Sequence, residues 1–150
     1  MTNACLPRSP KNLIDAIDSV KLETTPDLQP NFGGQGWTHC NLAVVRMLSA
    51  LTLSVPLKLA NDLQGWFLKE GQAQGWREVG IEEAIACANR GEPVVGSYLN
   101  PIGHGHVVLL RPTPDKDARC AQAGRRNFSN GTLAAAMGGN LRNCRFFAHL

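Results

Sequence analysis

Apolar residues recur every three to four positions in four segments of the first part of the chain, which is the spacing of an amphipathic α-helix. The clearest segment is 41–53, where Leu42, Val45 and Leu48 share one face. Glycines stand at or just beyond the ends of two of the other segments, at positions where helices often end. The pattern predicts helices over 12–20, 41–53, 61–70 and 80–89.

After residue 92 the pattern changes to short apolar runs, which are typical of β-strands. Strand candidates follow at 93–99, 106–111, 119–123 and 144–149. Residues 100–103, Asn-Pro-Ile-Gly, predict a turn between the first two. Helices first and an antiparallel meander afterwards predict an α+β fold, in which one helical layer packs on a small sheet.

The composition is that of a globular protein, with 43% hydrophobic and 18% charged residues. The chain of 150 residues is long enough for its own core, and we assign residues 1–150 to a single domain. The longest apolar stretch, 42–59, is interrupted by Arg46, Pro56 and Lys58, so we expect no membrane insertion. The first ten residues lack an apolar signal segment, so we expect secretion to use another route.

The net charge of +3 is distributed unevenly. Residues 1–110 carry 8 Lys/Arg and 10 Asp/Glu, a net of −2, whereas residues 111–150 carry 7 Lys/Arg and 2 Asp, a net of +5. A basic end can attract an anionic polymer, or it can be an ordinary solvated face. Aromatic residues do not alternate with the arginines, so we expect no nucleic-acid partner.

Five cysteines fit either one reactive thiol with up to two disulfides or five reduced thiols. The absence of a Cys-x-x-Cys pair argues against a zinc finger or a thioredoxin motif. Cys120 and Cys144 lie in strand candidates that we expect to be neighbours, and they could form a disulfide. Cys87 is expected to pack inside a helix, and Cys5 could fix the N-terminus.

Two short motifs carry the most specific chemistry. Residues 37–41, Trp-Thr-His-Cys-Asn, place Cys40 in the first turn of a predicted helix, with Thr38 as a possible N-cap. Residues 103–106, Gly-His-Gly-His, place His106 at the start of a strand. A helix N-terminus and a neighbouring imidazolium both lower a thiol pKa and favour the nucleophilic thiolate. The motifs therefore predict a cysteine–histidine hydrolytic site.

A metal site is the alternative interpretation. His104 and His106 share one side of an extended segment, and His39 could be a third ligand in a zinc-dependent hydrolase or a metal-binding module. No obvious acidic ligand or helical histidine pair accompanies them, so we expect no metal and no other cofactor. A non-catalytic binding domain is a third functional class to which the chain could belong.

The two motifs belong to a longer pattern that covers roughly residues 30–150. Its other segments are Val-Pro-Leu at 55–57 with an Asn shortly after, Gly-Trp-Arg-Glu-Val at 75–79, Gly-Glu-Pro-Val-Val at 91–95, Gly-His-Val-Val-Leu-Leu-Arg-Pro at 105–112 and Ala-Gln-Ala-Gly-Arg-Arg-Asn-Phe at 121–128. The pattern resembles the papain-like, NlpC-type cysteine peptidases and amidases that cut the peptide stems of bacterial cell wall. Small type VI secretion amidase effectors and phage lytic enzymes share it.

The resemblance implies a papain-like core with three catalytic positions. Cys40 takes the place of the nucleophile, His106 that of the base, and Gln122 that of a third residue on the following strand. Asp115 and Asn127 are rivals for the third position.

The same resemblance implies residues around the substrate. The Cys40 backbone N–H and a donor from Gln35, Trp37 or His39 would hold the oxyanion. His104 and Asn127 are further candidates for contact with the substrate.

The implied activity is hydrolysis of an amide bond in the peptide stem or crosslink of peptidoglycan, through a thioester intermediate. The compact chain favours a secreted antibacterial effector that acts in the periplasm of a target cell, with a cognate immunity protein in the producing cell. A phage-type lytic enzyme of the same fold is the alternative. Free stem carboxylates would suit the positive charges of Arg125 and Arg126.

Overall fold

The computed structural model describes residues 6–114 and 117–150, which contain five α-helices and six β-strands. The helices are α1 Pro10–Ser19, α2 Cys40–Ala50, α3 Ala60–Leu68, α4 Ile81–Asn89 and α5 Leu133–Met137. The strands are β1 Trp76–Val79, β2 Val94–Tyr98, β3 His106–Arg111, β4 Arg119–Gln122, β5 Phe128–Thr132 and β6 Arg145–His149. Among these residues no helix has both the length and the apolar character needed to span a bilayer.

The six strands form one antiparallel sheet in the order β1-β6-β2-β3-β4-β5. Strands β2, β3 and β4 follow one another as predicted, but the unpredicted β5 comes next in the sheet, and β6, the predicted fourth strand, returns to pair with both β1 and β2. The register pairs Tyr98 with His106 across β2 and β3. Strand β3, which begins at His106, therefore lies inside the sheet with a partner on each side.

Helices cover both faces of this sheet. On one face α1, α2 and α3 pack against β3 and β6, where Leu13, Met47 and Phe67 share a buried cluster with Val107 and Phe147. On the other face α4 and α5 cover a second cluster that includes Val94, Val108, Leu110 and Phe146. The α+β class is confirmed, but the single helical layer is wrong, since the strand side chains are buried on both faces.

Strands β1 and β5 are not predicted from the sequence, for local reasons. Strand β1 has four residues, of which only Trp76 is fully buried, so no alternation is visible. Strand β5 reads Phe-Ser-Asn-Gly-Thr and contains residue types that are depleted in strands. Both strands are formed by pairing with neighbours rather than by their own composition.

The expectation that Cys120 and Cys144 lie on neighbouring strands, where they could form a disulfide, is wrong. Strands β2 and β3 separate β4 from β6, so the two cysteines stand about three strand spacings, or about 14 Å, apart. A disulfide needs Cα atoms within about 7 Å. Among the described residues Cys40, Cys87, Cys120 and Cys144 are free thiols, and Cys5 lies outside those residues.

His149 connects the N-terminal segment to the end of the sheet through hydrogen bonds. Arg8 donates to His149 Nδ1 at 2.7 Å, and His149 Nε2–H donates to the Gln74 carbonyl at 2.8 Å. A protonated ring could not accept from Arg8, so this arrangement requires the neutral imidazole. Burial lowers the pKa of His149, the bond to Gln74 opposes that shift, and the charge of Arg8 adds to it.

Acidification is expected to reduce the free energy of unfolding through His149. Because its folded pKa is lower than the ordinary value of 6.5, the unfolded chain takes up the proton first. The contribution of the neutral His149 ring to the free energy of unfolding is complete above the ordinary pKa of 6.5. It is lost as the pH falls through the lower pKa of the folded protein. Urea unfolding at pH 7.5 and pH 5.5 should show a larger loss for the unaltered protein than for His149→Gln. An equal loss in both proteins would contradict this role.

Candidate active site

Cys40 is the first residue of α2, and 8% of its surface is exposed. The N-cap is His39, whose side chain makes no capping bond, so the predicted cap at Thr38 is wrong. Asn41 Oδ1 accepts the Leu42 N–H at 2.9 Å within the first turn. The Cys40 N–H donates to no backbone carbonyl among the described residues, as is usual for a first-turn amide, and it lowers the pKa of its own thiol.

The thiol of Cys40 faces strand β3. The backbone N–H of Val107 lowers the pKa of the thiol against the effect of burial, and Cys40 and Val107 belong to the same buried cluster. Val107 directly follows His106, so helix α2 starts beside the residue that starts β3. The fold thus brings together the two motifs that the sequence singles out.

The His106 ring is bonded to the third predicted residue. His106 Nε2 lies 2.7 Å from Gln122 Oε1, and Gln122 is 6% exposed. The Gln122 amide nitrogen donates to the Arg126 carbonyl at 2.8 Å. Because a carbonyl can only accept, that bond fixes the amide and directs Oε1 at the ring. Nε2 therefore carries the ring proton, and Nδ1 is left as the basic nitrogen.

The loop after β4 closes on the imidazole. A Cβ atom on Gly124 would lie 3.3 Å from His106 Cε1, so a glycine lets the backbone approach the ring. Asn127 holds this loop, because its Oδ1 accepts the Gly124 N–H at 3.0 Å. Its Nδ2 donates to the carbonyls of Leu22 and Leu28 at 3.0 and 2.7 Å.

These bonds make Asn127 a positioning residue, with its side chain committed to the framework rather than directed at the thiol. Of the two candidates for the third catalytic position that the structure describes, Gln122 and Asn127, Gln122 is the one hydrogen-bonded to the His106 ring. Asp115 lies outside the described residues.

Burial governs the protonation of the thiol and the imidazole. It raises the pKa of the Cys40 thiol, and the N–H groups of Val107, Asn41 and Cys40 itself oppose that shift only in part. It also lowers the pKa of His106, against the effect of the bond to Gln122. Both shifts favour a neutral thiol beside a neutral ring. The predicted lowering of the thiol pKa is therefore wrong for the resting site, because desolvation outweighs the helix end.

The sulfur and the ring are held separately in this resting arrangement. Within the described residues no hydrogen bond joins the Cys40 sulfur to His106. The sulfur faces the Val107 N–H, and the ring is bonded to Gln122. Catalytic hydrogen bonds are often long before substrate binds, so proton transfer requires the thiol to turn towards Nδ1.

The loop 31–39 contains the predicted oxyanion donors. His39 Nε2–H donates to the Phe32 carbonyl at 2.8 Å, which occupies that side chain. The Trp37 backbone N–H donates to the Gly34 carbonyl at 3.2 Å. The exposed Gln35 amide makes no hydrogen bond within the described part of the chain. Of the predicted oxyanion donors, the Gln35 amide and the Trp37 indole N–H therefore remain uncommitted among the described residues.

Asn61, near the start of α3, holds the turn that leads to His106. Its Nδ2 donates to the carbonyls of Asn100 and Gly103 at 2.9 and 3.0 Å, and its Oδ1 accepts the Asn100 N–H at 3.0 Å. His104 is exposed in this turn, as its predicted position on the rim requires. The sequence pattern includes Asn61 after Val-Pro-Leu but predicts no role for it, because its partners lie about forty residues away in the chain.

The histidines of the metal alternative do not converge. The described residues contain no group of three or more His, Cys, Asp or Glu side chains placed to hold a metal ion. His39 is bonded to Phe32 and His106 to Gln122, while His104 is exposed in the turn.

Basic side chains flank the imidazole. Arg125 and Arg126 are exposed directly after Gly124, at the start of the β4–β5 hairpin. Neither forms an ion pair with the described residues, whereas Arg111 and Arg145 pair with Asp18 and Glu78. The rim beside the ring therefore carries uncompensated positive charge.

Replacing Gln122 with leucine is expected to lower kcat by about tenfold to a hundredfold, with a smaller effect on KM. Leucine keeps most of the volume but removes the acceptor that fixes the ring and its tautomer. The matched control is Gln64→Leu, because Gln64 is also buried but donates to Ser97 Oγ at 3.0 Å. That control should lose stability and keep its kcat. Equal kcat losses in both variants would contradict the positioning role of Gln122.

No protein-family model matches the chain, and no curated protein matches it in sequence. Functional inference therefore rests on the geometry of Cys40, His106 and Gln122.

Proposed function

We propose that this protein is a cysteine amidase that hydrolyses an amide bond in the peptide stem or crosslink of peptidoglycan. One observation carries the proposal: a buried glutamine holds a histidine at the start of β3, the strand on which the helix that begins with the thiol packs. This arrangement supplies a nucleophile, a base with a defined tautomer and an unpaired amide for an oxyanion.

The first half of the reaction forms a thioester. As the substrate carbonyl reaches the Cys40 sulfur, His106 Nδ1 takes the thiol proton and the sulfur attacks the carbonyl carbon. The Cys40 N–H and the Gln35 amide stabilise the oxyanion. The imidazolium then gives its proton to the amine, the C–N bond breaks and the amine leaves.

The second half hydrolyses that thioester. His106 Nδ1 takes a proton from water, and the water oxygen attacks the thioester carbonyl. The C–S bond breaks, and the sulfur recovers the proton from the ring. Gln122 accepts from Nε2–H throughout and stabilises the imidazolium. The products are a free amine and a carboxylate.

The charge of the rim supports a wall substrate. Peptide stems carry free carboxylates, and Arg125 and Arg126 lie exposed beside the loop that covers His106. Exposed charges of this kind steer an anionic substrate more than they bind it tightly. The substrate amide would approach with its carboxylate side towards the β4–β5 hairpin.

The proposed setting is an antibacterial effector that acts in the periplasm of a target cell and is neutralised by an immunity protein in the producing cell. The absence of a converged metal cluster among the described residues supports thiol chemistry over the zinc alternative. Directing the protein to the periplasm of a bacterium should cause lysis, while the same amount in the cytoplasm should not.

Incubation with purified sacculi tests the activity itself. The expected result is soluble fragments whose masses include one added water for each amide cut, at a rate that a metal chelator leaves unchanged. Iodoacetamide should abolish their release. Loss of activity with the chelator, or intact sacculi after long incubation, would contradict the proposal.

A further inference from the structure

Trp37 is an exposed aromatic ring three residues before the nucleophile, with 60% of its surface accessible. The other two tryptophans, Trp66 and Trp76, are 7% and 1% exposed and form part of the core. A tryptophan contributes most to stability when it is buried. The exposed indole therefore contributes little to the core, although it belongs to the loop that leads directly into Cys40.

The indole lies flat on two glycines. A Cβ atom on Gly34 would lie 2.7 and 2.8 Å from Cε2 and Cδ2 of the ring, and one on Gly33 would lie 3.5 Å from Cε3. Contacts spread over both rings of the indole mean that one broad face rests on the backbone. At Gly34 only a residue without a side chain permits this approach, and the opposite face of the indole is turned outward.

The loop beneath the ring is closed by its own hydrogen bonds. The Asn31 N–H donates to the Trp37 carbonyl at 2.7 Å, and Asn31 Oδ1 accepts the Gly36 N–H at 2.7 Å. The Trp37 N–H returns to the Gly34 carbonyl at 3.2 Å. The ring is therefore held in place before any ligand arrives, which reduces the entropy lost on binding.

Polar groups beside the ring are uncommitted. The Trp37 indole N–H, the Gln35 amide and the Thr38 hydroxyl make no hydrogen bond within the described residues, and all three side chains are exposed. Their neighbours His39 and Asn31 are bonded to the loop. An apolar plane with free donors and acceptors at its edge suits a ligand that has an apolar face and a polar rim.

We infer that Trp37 is a stacking platform for a pyranose ring of the wall glycan. A pyranose presents C–H groups on its face and hydroxyl or acetamido groups around its edge, which matches this plane and its surroundings. The inference rests on the proposed hydrolysis of wall material, and it assigns the glycan to the side of the thiol formed by the loop 31–39. A substrate that keeps its sugar would then bind better than a bare peptide.

Kinetics with two substrates tests the platform. With a disaccharide-peptide from the wall, Trp37→Ala should raise KM about tenfold with a small change in kcat. Trp37→Phe should recover most of the loss. With the same peptide lacking sugar, Trp37→Ala should behave like the unaltered protein. Ile102→Ala is the matched control, because Ile102 is an apolar side chain 94% exposed on the β2–β3 turn, and it should change neither substrate's KM.

Binding to a catalytically dead protein separates the platform from the activity. Cys40→Ala should show a change in tryptophan fluorescence with an N-acetylglucosamine oligomer, and Cys40→Ala/Trp37→Ala should not. The platform would be overturned if Trp37→Ala raised KM equally for both substrates or did not raise KM at all. It would also be overturned if the double variant showed the same fluorescence change as Cys40→Ala. If the unaltered protein cleaves neither substrate, the proposed function fails and the titration alone decides on the platform.

Discussion

Replacing Cys40 with alanine is expected to reduce amide hydrolysis by at least about 10⁴-fold. Alanine cannot form a thioester, and no other described cysteine lies beside a histidine that a glutamine holds. The variant should remain folded, because the change removes one atom from a helix start. Release of soluble fragments from sacculi, followed by mass spectrometry, measures the loss, and circular dichroism checks the fold.

Cys144→Ala is the matched control for the thiol. Cys144 is half-buried next to the cluster under α4 and α5, on the face of the sheet opposite Cys40, and burial raises the pKa of its thiol to about 11. This variant should retain its rate. Full activity of Cys40→Ala, or an equal loss in both variants, would remove the thiol from the reaction.

Replacing His106 with alanine is expected to lower kcat by about 10²- to 10⁴-fold. The loss follows from burial, which raises the pKa of the Cys40 thiol and so makes a base necessary to remove its proton. The same variant loses the acid that protonates the leaving amine. Steady-state hydrolysis of a purified wall peptide measures kcat and KM separately.

His104→Ala is the comparison that tests the choice of base. His104 lies two residues earlier in the exposed turn and stands before strand β3 rather than at its start. Its replacement should alter KM more than kcat. A loss of kcat for His104→Ala as large as that for His106→Ala would contradict the assignment of His106.

Local patterns were sufficient to place the reacting groups. The helical period after Cys40 predicted α2, and the continuous apolar run after His106 predicted β3. The bond between His106 and Gln122, which the resemblance implied, is present. The predictions of α2 and β3 each depended on a few residues close together in the chain, whereas the third catalytic position came from the resemblance.

Properties that depend on distant contacts could not be predicted in this way. Asn61 and Asn127 bind backbone groups far away in the sequence, and no periodicity marks such partners. The thiol pKa is a second case, because the helix end is visible locally while burial depends on the packing of α2 against β3. The order of the strands is a third, and it decides that Cys120 and Cys144 remain apart.

Trapping the intermediate tests the catalytic role of Cys40 most directly. A wall peptide should be mixed with the protein, quenched in acid during turnover and examined by intact mass and peptide mapping. The expected result is an acyl adduct on the peptide that contains Cys40, sensitive to hydroxylamine, present in Cys144→Ala and absent in Cys40→Ala. Amide hydrolysis that continues in Cys40→Ala, with no adduct on Cys40 in the unaltered protein, would contradict it.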